Sequence, residues 1–130
     1  MQKELLNTSK IETHLYEMIN GVVSDNTFVG YLPDTIQSSW QDMCLIDSSV
    51  PISDRDAYGQ GLVLVWLYAR PLANGAKNVA QMSALERKLL EVIKSASDGA
   101  YQISRRATFS DYDSARKWHC NIIQLNITIL

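Results

Sequence analysis

Gly61-Leu62-Val63-Leu64-Val65-Trp66-Leu67-Tyr68-Ala69 is the stretch that decides the fold. It carries no charge, and it is rich in the β-branched and aromatic residues that suit a pleated surface. In an extended chain, successive side chains point to opposite faces. Leu62, Leu64, Trp66 and Tyr68 therefore line one face, and Val63, Val65, Leu67 and Ala69 line the other. A strand that is apolar on both faces sits inside a sheet and is covered on both sides.

Arg70-Pro71 ends this strand, and Asn74-Gly75 is a tight-turn dipeptide. A long helix follows over 78–96. Val79, Met82, Leu85, Leu89, Val92, Ile93 and Ala96 form its apolar stripe, Asn78 its cap and Asp98-Gly99 its stop. At the start of the chain, Leu5, Ile11, Leu15, Met18 and Ile19 recur at helical spacing. Thr8 or Ser9 suits the cap of that helix, and Gly21 its end.

Between these helices, Val22-Val23 and Phe28-Val29-Gly30-Tyr31 read as short strand material, and Met43-Cys44-Leu45-Ile46 as a strand. Asp47 to Asp56, rich in Ser and Asp and containing Pro51, reads as a loop. Residues 101–109 and the run from Trp118 form a final hairpin, with Ser110-Asp111-Tyr112-Asp113-Ser114 as its turn. Apolar residues alternate from Trp118 to Ile122 and then in the opposite phase from Ile123 to Ile129. That slip implies a bulge, or cover on both faces.

The expectation is one α+β domain over 1–130, with the order α-β-β-β-α-β-β. A four- to five-stranded antiparallel sheet packs against an N-terminal helix and one long helix. A chain of 130 residues that is 46% hydrophobic has the length and apolar content for one such core. No run reaches the ~18–20 apolar residues needed to cross a bilayer, and the N-terminus lacks signal-peptide character. A cytoplasmic location without membrane contact follows as the expectation.

Catalytic patterns are missing. His14 and His119 are the only histidines, and no CxxC or HxxxH pattern offers converging zinc ligands. Gly59-Gln60-Gly61 leads into a strand, the reverse of a phosphate-binding loop. Cys44 and Cys120 read as buried thiols rather than as a disulfide, and they are the only candidate nucleophiles. The expectation is a non-enzyme without metal or cofactor.

Charge is more informative. The net value of −2 argues against a dedicated nucleic-acid binder. Residues 1–65 hold nine acids and three bases, whereas residues 66–130 hold five acids and nine bases. Two readings stand: two halves that complement each other inside the fold, or an acidic and a basic surface suited to head-to-tail stacking. The residues best placed for such contacts are Trp40, Asp54, Asp56, Arg105, Arg106, Arg116 and Lys117.

The element order, the strand Gly61 to Arg70, the helix segment Met82-Ser83-Ala84-Leu85-Glu86-Arg87-Lys88-Leu89 and the closing Trp118-His119-Cys120-Asn121-Ile122-Ile123-Gln124-Leu125 together resemble the small tail-completion proteins of tailed phages and prophages. These proteins are also called tail terminators. The resemblance implies a structural subunit that forms a ring, often a hexamer, which caps the tail tube and joins it to the head connector. It implies self-association and contacts with tail-tube and connector proteins. Its site is the cytoplasm during assembly and then the virion tail, and it supplies no catalytic residues. The alternative is a small non-catalytic ligand- or protein-binding module of a mobile genetic element.

Overall fold

The computed structural model describes residues 8–48, 53–55, 58–96 and 101–129. In chain order the elements are α1 (Thr8–Ile19), β1 (Thr27–Val29), β2 (Asp42–Asp47), β3 (Ser53–Arg55), β4 (Tyr58–Ala69), α2 (Val79–Ala96), β5 (Tyr101–Asp113) and β6 (Trp118–Ile129). They build the expected α+β fold. One sheet runs in the order β1-β2-β4-β6-β5, and β3 also pairs with β4.

The apolar strand 62–69 is central, as its pattern predicts. Its Val63, Val65, Leu67 and Ala69 face joins Cys44, Ile46, Ile123, Leu125 and Ile127 in one buried layer. Ile11, Leu15 and Ile19 of α1, and Met82, Leu85, Leu89, Val92 and Ile93 of α2, close over that layer. Helical spacing puts each of these sets on a single stripe, so each helix seals the sheet with one face. α1 lies over β1 and β2, and α2 over β4 and β5.

Both helix boundaries have local causes. The Asn78 side chain accepts a hydrogen bond from the Gln81 backbone N–H at 3.2 Å, an N-cap. Gly21 stops α1 at φ 80°, a left-handed conformation in which side chains other than glycine are strained. The expected start of α1 near Leu5 and the Asp98-Gly99 stop of α2 lie outside the described residues. Val79 differs from the expected stripe. It is 63% exposed, because it sits one turn before the helix meets the core at Met82.

The sheet is mixed, since β1 runs parallel to β2 while the other pairs are antiparallel. Parallel neighbours need a crossover of about a dozen residues. Residues 30–41 supply it by crossing the face of the sheet away from the helices. Leu32, Ile36 and Trp40 pack there on Met43, Tyr68, Trp118 and Cys120.

Three local expectations are corrected, and one alternative is resolved. Val22-Val23 is a turn, because Ile19 still accepts hydrogen bonds from both of its amides. The Asp47–Asp56 segment contains the short strand β3, which pairs antiparallel with the start of β4 and raises the strand count among the described residues to six. The stretch 110–113 continues β5, because its residues pair with β6 as far as Asp113, opposite Trp118. The turn is 114–117. It is held by Asp113, whose side chain accepts from the amides of Ala115 and Arg116, both at 3.1 Å. The phase slip at Ile122-Ile123 reflects cover on both faces, and β6 runs unbroken against β4. The bulge sits instead on β5, at Arg106.

Candidate interaction surfaces

The sheet's two outer edges differ in sequence origin. β1 is one edge, with α1 beside it, and β5 is the other. Glu17, Asp25 and Asp34 are exposed on the β1 side, and Glu12 is half-buried there. Arg105 and Arg106 are exposed on β5 together with Asp111, and Arg87, Lys88 and Lys94 are exposed on neighbouring α2 together with Glu91, so this side is positive only on balance. The charge imbalance between sequence halves thus becomes an imbalance between sheet edges. Four strand spacings separate β1 from β5, about 19 Å. That is roughly two Debye lengths at 0.1 M salt. Within one copy, the acidic and basic edges barely sense each other.

A groove of about 650 Å³ opens beside β1. Glu12, Thr13 and Tyr16 of α1 form one wall, Thr27, Phe28 and Val29 the strand floor, and Tyr31 and Pro33 the far side. Tyr31 is 77% exposed. Along the adjoining strand edge no described strand pairs with β1, where Thr27 is 6% exposed and Val29 half-buried. The Asn26 carbonyl accepts from the Cys44 amide, and the Gly30 amide donates to the Ile46 carbonyl, so these residues bond toward β2. By alternation, the backbone groups of Thr27 and Val29 point outward.

Each residue singled out from the sequence has a definite place. Trp40 is held inside the chain. Its ring lies 5.7 Å from that of Phe28, and its carbonyl accepts from Arg70 Nε at 2.7 Å. Arg70 also donates to the Gln37 carbonyl at 3.0 Å and stacks 4.8 Å above Trp118, so this one side chain pins the crossover to the sheet. Asp54 lies on β3, and Asp56 lies outside the described residues. Arg116 and Lys117 sit at the hairpin tip, where Arg116 pairs with Asp113 at 3.1 Å. Lys117 there adopts a left-handed backbone at φ 61°. The structure brings Arg105 and Arg106 together on one edge, far along β5 from the hairpin-tip pair. The α1–β1 groove and the Arg70 clamp had no sequence signal, since each joins segments distant in the chain.

The candidate nucleophiles are unfavourably placed. Burial, reinforced by Asp42, pushes the Cys44 thiol far above its ordinary range. Burial, with Asp111 and Asp113 nearby, pushes Cys120 up to about 11. Both thiols stay protonated at neutral pH, and the thiolate is the nucleophilic form. His14 stacks on Tyr101 at 4.5 Å, and His119 Nε2 lies 3.1 Å from the Gly75 carbonyl. Lys77, Ser110, Asn121 and Glu86 form a closed hydrogen-bonded chain that ties the start of α2 to the hairpin. Among the described residues, no cluster of His, Cys, Asp and Glu could hold a metal ion, and no helix is long and apolar enough to cross a membrane.

No protein-family model matches the chain, and no curated protein matches it either.

Proposed function

We propose that the chain is a structural ring subunit of a phage or prophage tail, one that terminates the tail tube and joins it to the head connector. The observation that carries this reading is the opposite charge on the two edges of one sheet. A ring repeats a heterologous contact, in which one surface meets a different surface of the next copy. A subunit with two complementary edges meets that requirement. Protonated thiols and a hydrogen-bonded polar cluster tied into the fold agree with a structural role.

The test has two parts. Native mass measurement and electron microscopy of the concentrated protein should yield a closed oligomer that weakens as salt rises. The same protein should co-assemble with the tail-tube subunit from its own genomic neighbourhood. A strict monomer that does not bind that subunit overturns the proposal.

A second reading draws on the groove beside β1, whose volume lies in the range of ligand pockets, roughly 300–1,000 Å³. There the chain would be a small non-catalytic binding module of a mobile element. A monomer that retains a peptide or small molecule in that groove would favour it.

A further inference from the structure

We propose that the ring contact is made by the sheet itself: β5 of one copy pairs with β1 of the next, and its exposed aromatic side chains enter the α1–β1 groove. The inference rests on the ring reading above and names the surfaces that would build it.

Strand direction supports the contact. β1 is parallel to β2, β2 is antiparallel to β4, β4 to β6, and β6 to β5. The two outer strands therefore run in opposite directions. A second copy placed alongside by rotation about an axis along the strands keeps its own directions. Its β1 then meets the first copy's β5 antiparallel, with both helical layers on the same side. The outward backbone groups of Thr27 and Val29 are the ones such a ladder would use.

The net charge of the two sides favours this pairing over the symmetric ones. β5 spans Tyr101–Asp113, so a two-fold β5–β5 pair over its full length centres on Ala107. Arg105 and Arg106 of both copies would then lie within two residues of the centre. The two Arg106 side chains would then approach each other across the centre, where like charges repel, and Arg105 would lie diagonal to Asp111 of the other copy. A β1–β1 pair joins two acidic edges and is three residues long. The mixed pair sets the side that is positive on balance against the side that carries Asp25, Asp34 and Glu12, the last of which also accepts from the Ser48 amide.

Apolar surface matches too. Phe109 is 50% and Tyr112 46% exposed on β5. Phe109 pairs with Ile122 and Tyr112 with His119, so they point to opposite faces of the sheet. The groove likewise wraps around its edge, from Tyr16 on the helix side to Phe28 and Pro33 on the other. The floor strand has only three residues, so side chains must supply much of the contact.

The experiment is sedimentation velocity on the full chain, with far-UV circular dichroism to show that each variant folds. The unmodified chain should form a closed oligomer larger than a dimer. The pair R105E and R106E should weaken association at least about tenfold, as should the pair D25R and D34R. The chain carrying all four changes should recover. In hydrogen exchange, the Thr27 and Val29 amides should exchange more slowly in the oligomer than on dilution. An oligomer that ignores both charge reversals, or does not slow the exchange of those amides, overturns the edge contact and leaves the ring reading standing. A two-fold dimer overturns the head-to-tail arrangement. A monomer at every concentration overturns both.

Discussion

The two faces of the sheet are equally apolar in sequence along β4 but are covered in different ways. On one face Val63, Val65, Leu67 and Ala69 lie under two helices and are completely or almost completely buried. On the other, Leu62, Leu64 and Trp66 are only half-buried while Tyr68 is buried, and the irregular crossover 30–41 covers Trp66 and Tyr68. Helices present continuous stripes with their backbone groups already paired. An irregular segment must find partners for its carbonyls, and Arg70 supplies two of them. The helical face is thus sealed by packing, and the crossover face is fastened at one end by a single cation.

Five measurements break or sharpen this contrast. Leu67→Ala, beneath the helices, should cost about 2–5 kcal/mol in urea unfolding, because the rigid layer cannot collapse into the space. Arg70→Ala should cost about 1–3 kcal/mol, since it leaves the Trp40 and Gln37 carbonyls without their charged donor. Ile122→Ala, half-buried on the crossover face, should cost about 1 kcal/mol. Equal losses for Leu67→Ala and Ile122→Ala would erase the distinction between the faces.

The two cysteines report on the two faces separately. Cys44 belongs to the helix-covered layer, and Cys120 lies under the crossover. A thiol reagent should reach Cys120 first, through local opening, and Cys44 only on global unfolding. Arg70→Ala should speed labelling of Cys120 more than that of Cys44. The smallest effect is the pH dependence. Both folded thiols have raised pKa values, so they keep protons that the unfolded chain releases above about pH 9. Stability is therefore fully present below pH 9 and declines as pH rises toward 11. Tyr68, also raised by burial, acts in the same sense at higher pH. Cys120→Ala should make the decline between pH 9 and 11 shallower and leave the part due to Cys44. A profile flat over that interval in the unmodified chain would contradict the burial of both thiols.

Legibility followed the range of the interactions. The strand 62–69 and the helix capped by Asn78 could be read because their patterns are local and periodic. The hairpin turn was misplaced because Ser110, Asp111 and Asp113 look like turn residues but also serve a strand that faces solvent. The Ser110 hydroxyl, for example, donates across to Asn121 on β6. The short strand β3 was hidden in a polar loop because its pairing comes from β4, not from its own composition. Among the candidate contact residues, Arg105 and Arg106 could be found because paired arginines in a strand cannot both face a core. Trp40 looked equally available, yet its ring and carbonyl are taken up by Phe28 and Arg70, partners whose positions no spacing reveals.

By itself, the sequence determined the α+β class, the central strand, the two helical stripes and the unequal division of charge along the chain. Each of these depends on residues close together in sequence. Tertiary structure alone decided that β1 would lie parallel to β2 and that a crossover would cover the second face. It also decided that the acidic and basic halves would end on opposite edges of one sheet. Those outcomes depend on which strands become neighbours. That choice is made when the apolar faces are buried together, and the spacing of residues along the chain does not contain it.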